Sequence, residues 1–246
     1  MNGKKNLVLI LATLALLAAA ITVSLYQFEQ SASADAPTVL TNVEPALTPP
    51  ENAPVLMVVG DSLSAGYGLS SLAESWVALM QDRLLRKGYG IRVVNASISG
   101  DTSGGGAARL PAALDRHQPS IVIIELGGND GLRGLSLDVM RENFELMIDA
   151  ARAIDAAPIL LGMLIPPNYG QRYTDQFEAQ FVELSEQYNI PLVPFFLEDV
   201  ALRDDLMQSD GIHPNAAAQP YMLDRVWPAV EMTVRQTLKM TRSEQE

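Results

Sequence analysis

Residues 54–64 read PVLMVVGDSLS, an aliphatic run that ends in a polar turn. The run from Val55 to Val59 has the length of a strand, and a run without polar interruption is typical of a strand buried on both faces of a sheet. Similar runs rich in Val, Ile and Leu occupy residues 91–94, 121–126 and 159–165. The sequence therefore predicts four buried strands.

Amphipathic stretches alternate with these runs. Apolar residues recur at helical spacing in residues 76–86, 139–154, 179–188 and 214–238. Because strands that alternate with helices are joined by crossover connections, the pattern predicts a mostly parallel sheet with helices on both faces, which is a single three-layer, doubly wound α/β domain. Ligands of such sheets bind at the carboxyl ends of the strands, so the turns that leave the strands are the places to look for chemistry.

The composition excludes several classes of function. The chain carries 17 basic and 29 acidic side chains, a net charge of −12 at pH 7, which disfavours binding to nucleic acid. It has no cysteine, so disulfides, a thiol nucleophile and a cysteine zinc site are excluded. Its only histidines are His117 and His213, which excludes a multi-histidine metal centre and leaves only carboxylate-rich metal sites open.

The first 53 residues differ from the rest in composition. Lys4 and Lys5 precede an uncharged apolar stretch, residues 7–25, which predicts a signal peptide or an N-terminal membrane anchor within residues 1–34. A small-residue site at residues 32–34 favours cleavage, whereas the length of the stretch is close to the roughly 20 residues that span a bilayer. Residues 35–53 are rich in proline and predict an extended linker before the folded domain, residues 54–246.

Three turns at predicted strand exits carry groups that could act on a ligand. Residues 60–64 place the hydroxyl of Ser62 at the edge of the sheet, and residues 127–131 place the side-chain amide of Asn129 there. In residues 95–103, Gly100 allows the backbone to approach a ligand closely. Each turn taken alone is explained as well by ordinary turn and helix-cap chemistry.

A fourth turn places a carboxylate next to an imidazole. Asp210 precedes His213 by three residues, just before the last predicted helix. The carboxylate can hold one ring nitrogen while the other accepts a proton from a hydroxyl, as in a catalytic triad. An Asp-Gly turn before a helix-entry proline is the structural alternative. Together the four turns supply a nucleophile, a base, an orienting carboxylate and three hydrogen-bond donors, which favours a hydrolase.

These turns resemble a known family. Residues 60–64, Gly100, residues 127–130 and residues 210–213 match, in order, the four sequence blocks of the SGNH or GDSL hydrolases, and the resemblance extends over residues 54–238. The longer strings around these blocks are most similar to the bacterial thioesterase I/lysophospholipase L1 (arylesterase-like) branch. The resemblance implies a flavodoxin-like SGNH-hydrolase fold.

The resemblance also implies roles for individual residues. Ser62 is then the nucleophile, Asp210 and His213 complete the triad, and the oxyanion hole consists of the backbone amides of Ser62 and Gly100 with the side chain of Asn129. No metal or organic cofactor is called for. Leu132, Leu135 and Tyr169 follow the third and fourth strands and are predicted to line an acyl groove; mobile surface loops without substrate contact are the alternative.

The expected reaction is hydrolysis of carboxylic esters and thioesters through an acyl-enzyme intermediate, of the acyl-CoA thioesterase, lysophospholipase or arylesterase type. The alternatives are a carbohydrate O-acetylesterase and a non-catalytic SGNH domain that binds carbohydrate or lipid. We expect an exported, periplasmic monomer that acts on a small acyl substrate. It is either soluble after signal cleavage or tethered to the inner membrane through residues 7–25.

Overall fold

The aliphatic runs form a parallel sheet in the computed structural model, which describes residues 48–243. The strands are Val55–Gly60 (β1), Arg92–Asn95 (β2), Ile121–Glu125 (β3), Ala157–Leu161 (β4) and Leu192–Val193 (β5). Their order across the sheet is β2-β1-β3-β4-β5, and all neighbours pair in parallel. Every residue of the two central strands β1 and β3 is buried, whereas the edge strand β2 is partly exposed.

Helices cover both faces of the sheet. The α-helices are Ser62–Ala65 (α1), Trp76–Arg86 (α2), Ser103–His117 (α3), Gly128–Leu132 (α4), Leu137–Arg152 (α5), Gln171–Tyr188 (α6) and Gln219–Ser243 (α7). Helix α2 packs against α7, while α5 packs against both α3 and α6. Because parallel crossovers are right-handed, the strand order places α2 on one face and α3, α5 and α6 on the opposite face; α7 packs against α2 and so lies on its face. The predicted three-layer, doubly wound α/β fold is confirmed.

Aromatic side chains fill the two layers between sheet and helices. Trp76 packs edge-on against Phe196, with ring centroids 5.3 Å apart. Phe181 packs against Phe144 and Phe177 at centroid distances of 5.5 and 5.4 Å. All five rings are almost completely buried, so the sheet that carries the strand exits rests on a rigid core.

Two strands differ from the sequence-based expectation. The run at residues 159–165 is a strand only to Leu161, because its partner β5 has just two residues; beyond them the Pro194 carbonyl lies close against Gly162. Strand β5 has no periodic signal in the sequence, since it is too short and lies between two prolines.

The starts of two helices also differ. Helix α6 begins at Gln171 rather than at 179. The sequence pattern does not predict its first two turns, because they are mostly polar and show little apolar periodicity. Helix α7 begins at Gln219 rather than at 214, because the Asn215 side chain caps a preceding 3₁₀ turn, Ala216–Ala218, by accepting from the N–H groups of Ala217 and Ala218. A local polar side chain therefore sets the boundary at α7, whereas α6 starts after Gly170 without a side-chain cap.

The predicted signal peptide or anchor, residues 1–34, and residues 35–47 of the predicted linker lie outside the described residues. Within residues 48–243, no helix combines the length and the apolar character needed to cross a bilayer.

Candidate active site

Ser62 lies at the first residue of α1, immediately after β1. Residues 60–64, called here the Ser62 turn, are shaped by Asp61, whose Oδ1 accepts a hydrogen bond of 3.0 Å from the backbone N–H of Leu63. This side-chain cap ends the strand and starts the short helix. Ser62 is partly exposed, so its hydroxyl faces the crevice at the carboxyl edge of the sheet, next to the switch point between β1 and β3.

Asp210 and His213 lie in a second turn, residues 207–214, called here the His213 turn. Met207 and Pro214 form a bridge that closes it. Asp210 Oδ1 accepts from the backbone N–H groups of Ile212 and His213 at 2.9 and 3.0 Å, and Oδ2 lies 2.7 Å from His213 Nδ1. The two backbone donors, together with the imidazole, hold the pKa of Asp210 well below its usual range. The carboxylate is therefore ionised and fixes the orientation of the ring.

The two turns meet across 151 residues of sequence. His213 Nε2 lies 2.9 Å from Ser62 Oγ. A neutral imidazole that donates its Nδ1 proton to Asp210 can accept the Ser62 proton at Nε2. The ring of Tyr67 packs against the imidazole with centroids 4.5 Å apart, and Gln208 Nε2 donates to the Tyr67 carbonyl at 2.8 Å, which ties the His213 turn to the segment after α1.

The predicted oxyanion donors lie at the exits of β1, β2 and β3. Gly100 has φ +80°, a conformation that L side chains rarely adopt, which explains a glycine at this position. Within residues 48–243, the N–H groups of Ser62 and Gly100 have no protein acceptor, so both can bind a ligand oxygen. Asn129 Nδ2 donates one hydrogen to Asp61 Oδ2 at 2.9 Å, which leaves its second N–H free.

Two carboxyl groups lie behind the Ser62 turn. Asp61 is 3% exposed and Glu125, the last residue of β3, is 0% exposed. Burial raises the pKa of Asp61 to about 6, although hydrogen bonds from Leu63 and Asn129 act in the opposite direction. Burial, followed by the nearby charge of Asp61, raises the pKa of Glu125 well above its usual value. Burial therefore favours the protonated form of both acids, and it acts most strongly on the fully buried Glu125.

An arginine joins the turns that follow β1 and β2. Arg109, on α3, makes an ion pair of 2.6 Å with Asp101. Its guanidinium also donates to the carbonyl of Ala96 and, at 3.3 Å, to the carbonyl of Gly60. Arg133 reaches the same region and donates to the Gly100 carbonyl at 3.0 Å. These contacts fix the loop of Gly100 relative to the Ser62 turn.

Comparison with known proteins identifies the family. Residues 58–219 match the sequence profile of the GDSL-like lipase/acylhydrolase family. The chain is 52% identical over 185 residues to "Esterase TesA" of Pseudomonas aeruginosa, which covers 75% of this chain and 92% of that relative. It is 47% identical over 180 residues to "Thioesterase 1/protease 1/lysophospholipase L1" of Escherichia coli strain K12, covering 73% of this chain and 84% of the relative. The chain belongs to the GDSL-like lipase/acylhydrolase family.

Solved structures of family members agree with this assignment. A crystal structure of TesA superposes with a TM-score of 0.71 at 52% identity, covering 73% of this chain and 99% of that one. The psychrotrophic esterase EstA from Pseudoalteromonas sp., in a form inhibited by monoethylphosphonate, gives a TM-score of 0.70 at 42% identity, covering 74% and 98%. The protein is therefore an enzyme of the SGNH esterase class, and these similarities favour esterase and thioesterase chemistry over the O-acetylesterase and binding-domain alternatives.

The residues predicted to line an acyl groove lie in the segments that follow β3 and β4. The Tyr169 hydroxyl donates to the Leu132 carbonyl at 2.7 Å, and the Tyr173 hydroxyl donates to the Leu135 carbonyl at 3.0 Å. Leu135 and Tyr173 line a surface groove of about 450 Å³ together with Leu137, Gln176 and other residues. Of the three predicted residues only Leu135 lines this groove; Leu132 and Tyr169 do not. Ser62 and His213 line a separate small cleft with Tyr67.

Three residues around the site are absent from the sequence-based predictions, and only Glu125 has a signal that could have revealed it. Glu125 interrupts the charge-free character of the run 121–126, and a carboxylate inside a buried strand is a detectable anomaly. Arg109 and Tyr67 have no comparable signal in the sequence, because an arginine on a helix and a tyrosine in a loop are common in any protein. Their contacts with Gly60 and His213 depend on distant parts of the chain coming together.

Proposed function

We propose that the protein is an exported serine hydrolase in which Ser62 attacks the acyl carbonyl of esters and thioesters. The observation that carries this proposal is the unbroken contact from Asp210 to His213 Nδ1, at 2.7 Å, and from His213 Nε2 to the Ser62 hydroxyl, at 2.9 Å. A carboxylate, an imidazole and a hydroxyl in that order are what a serine nucleophile needs to lose its proton as it attacks.

The first step forms the acyl-enzyme. As Ser62 Oγ bonds to the carbonyl carbon, its proton passes to His213 Nε2, and Asp210 stabilises the resulting imidazolium. Collapse of the tetrahedral intermediate breaks the bond to the leaving alcohol or thiol, which takes the proton from His213. In the second step water attacks the acyl-enzyme by the same route, releases the acid and restores the Ser62 hydroxyl.

The tetrahedral intermediates carry a negative oxygen that needs donors. The backbone N–H groups of Ser62 and Gly100 and the free N–H of Asn129 supply them in this proposal. Asp61 accepts a hydrogen bond from one N–H of the Asn129 side chain and so fixes the amide nitrogen, whose second N–H is the proposed donor. Removing one donor of an oxyanion hole typically costs about 100- to 1000-fold in turnover, so the alignment of the three donors has a large effect on rate.

Acyl esters and thioesters are the substrate class that we propose. The relatives, an esterase and a thioesterase 1/protease 1/lysophospholipase L1, support this breadth by their names. An exported enzyme encounters lipid and other acyl esters in preference to cytosolic acyl thioesters, which favours an ester as the natural substrate. In this proposal the protein is a monomer, and Leu132, Leu135 and Tyr169 contact the acyl chain from the exposed segments that follow β3 and β4.

Replacement of the proposed nucleophile tests the function. Ser62→Ala should abolish hydrolysis of a chromogenic acyl ester and covalent labelling by a fluorophosphonate, while the melting temperature stays near that of the wild type. Ser70→Ala is the matched control, because Ser70 is exposed and its hydroxyl donates to the Glu74 side chain at 2.8 Å rather than to a triad residue. An active and labelled Ser62→Ala protein would refute the assignment of the nucleophile.

The location of the protein is tested with the complete chain. We propose export to the periplasm, with residues 1–34 acting as a signal or residues 7–25 as a membrane tether. Expression of the full chain in a Gram-negative bacterium, followed by fractionation and intact-mass measurement, separates the two outcomes. A soluble periplasmic product that lacks residues 1–34 indicates cleavage, and a membrane-bound product of 26.6 kDa indicates an anchor. Recovery of the full-length chain in the cytoplasm contradicts export.

A further inference from the structure

Glu125 is a buried acid that takes no part in the proposed chemical steps. It is the last residue of β3 and is 0% exposed, so it does not touch a substrate in the crevice. Its Oε2 accepts a hydrogen bond of 3.2 Å from the backbone N–H of Asp61 and one of 2.6 Å from the hydroxyl of Ser64. The two donors lie on either side of Ser62 in the sequence. One carboxyl oxygen therefore holds both ends of the Ser62 turn.

The space under the turn is built for this acid. Gly60 pairs with Glu125 in the register of β1 and β3. A Cβ atom at Gly60 would lie 2.5 Å from Glu125 Oε2 and 2.9 Å from the Ser64 side chain, so no larger residue fits beside the carboxyl group. The close approach of strand and carboxyl leaves the turn little freedom to shift.

The environment favours the neutral form of Glu125. Its Oε1 is buried without a hydrogen-bond partner in the described part of the chain, which is costly for a carboxylate and less so for a protonated acid. Burial raises the pKa of Glu125 in the same direction. Neutral Glu125 can still accept from the Asp61 N–H and the Ser64 hydroxyl. It then adds no negative charge to that of Asp61 near the developing oxyanion.

We propose that Glu125 is a positioning residue for the oxyanion hole, which acts through the Ser62 turn. By holding the Asp61 N–H and the Ser64 hydroxyl, it fixes the direction of the Ser62 amide. Because Asp61 in turn holds Asn129, the same contact fixes a second donor. This inference rests on the proposed function, since it assigns Glu125 to the geometry of that reaction rather than to another one.

Three variants test the role of the Glu125 acceptor. Glu125→Gln keeps a neutral carbonyl oxygen in place of Oε2, so kcat should stay within about threefold of the wild type. Glu125→Met has a similar length without an acceptor, so kcat should fall about 100-fold while KM changes less than about threefold, because misplaced donors affect mainly the transition state. Ile123→Ala is the matched control: Ile123 is buried two residues earlier on the same face of β3, and in the register of the sheet it pairs with Val58 rather than with a residue of the Ser62 turn.

The control separates positioning from general stability. Ile123→Ala should lower the melting temperature through a cavity and leave kcat at 25 °C unchanged. A Glu125→Met protein with wild-type kcat overturns the proposal, and so does a Glu125→Gln protein that loses as much kcat as Glu125→Met. A loss of kcat in Ile123→Ala that matches the loss in Glu125→Met also overturns it, because stability alone would then explain the effect.

A further variant keeps the test decisive if Glu125→Met does not fold. Ser64→Ala removes one of the two donors and keeps the acid, so kcat should fall about tenfold with KM nearly unchanged. Wild-type kcat in that variant counts against the positioning role. The wild type and Ser62→Ala are measured in the same assay: an inactive wild type contradicts the proposed function, whereas an active wild type with fully active Glu125 and Ser64 variants contradicts only this inference.

Discussion

The Ser62 turn and the His213 turn each contain an aspartate, and their environments shift the two acidities in opposite directions. Asp210 is exposed, and backbone N–H groups hold its pKa below the usual range. Asp61 is buried, and the loss of solvent raises its pKa to about 6 despite two hydrogen bonds. Hydrogen-bond donors therefore dominate at one turn and desolvation at the other.

The two turns also differ in how they are held. The contacts of Asp210 reach only two and three residues along the chain. The contacts of the Ser62 turn come from Glu125, Asn129 and Arg109, which are distant in sequence. The geometry of the His213 turn is therefore a local property, whereas the geometry of the Ser62 turn depends on the whole sheet.

The largest expected effect tests the local turn. Asp210→Asn should lower kcat about 10⁴-fold, because an amide that faces His213 Nδ1 favours the wrong tautomer of the imidazole. The melting temperature should change little, since Asp210 is exposed. Steady-state hydrolysis of a chromogenic ester measures the first quantity and a thermal melt the second. If kcat falls less than tenfold, the orienting role of Asp210 is wrong.

Removal of a distant partner tests the tertiary turn. Asn129→Ala should lower kcat about 100- to 1000-fold with a small change in KM, because the lost N–H stabilises the intermediate more than the bound substrate. The same kinetic assay measures it. A change confined to KM would place Asn129 in substrate binding instead.

The buried acid predicts a pH dependence of stability. Folded Asp61 keeps its proton up to about pH 6, whereas unfolded Asp61 ionises near the ordinary aspartate pKa of 3.8. The folded state therefore binds more protons between these values, and the free energy of unfolding falls as pH rises from about 4 to about 6. The loss is at most about 3 kcal/mol, since one pKa unit corresponds to about 1.4 kcal/mol.

Urea unfolding across this pH range measures the effect. In Asp61→Asn this residue no longer titrates, so the fall should be smaller. Removing the Asp61 charge also lowers the pKa of Glu125, so the difference between the two curves reports the pair of acids. If the free energy of unfolding depends on pH in the same way in both proteins, burial does not raise the pKa of Asp61.

The smallest expected effect concerns the loop beside both turns. Replacing Leu132 and Leu135 by Ser should lower kcat/KM for long acyl esters about tenfold relative to short ones, because an apolar chain then loses contacts with two leucines. Rates on a series of acyl esters measure this ratio. If the ratio of kcat/KM for long and short esters does not change, these leucines do not line an acyl groove.

The same contrast explains how much the sequence predicts. The runs at β1 and β3 predict a buried parallel sheet, and the three-residue spacing of Asp210 and His213 predicts their contact, because both depend on neighbouring residues. The positions of Glu125 and Arg109 relative to the Ser62 turn depend on strand order and helix packing, which no single motif contains. Strand β5 is absent from the predictions for a related reason: its place is set by β4 rather than by its own two residues.

The hydrogen bonds that Tyr169 and Tyr173 donate to the loop after β3 have a consequence for protein engineering. Both hydroxyls bind main-chain oxygens, those of residues 132 and 135, and neither depends on which side chain stands there. The loop can therefore keep its course while those two positions are randomised. A combinatorial library at 132 and 135 should retain a high fraction of folded clones, and selection among them could retune chain-length preference without redesign of the scaffold.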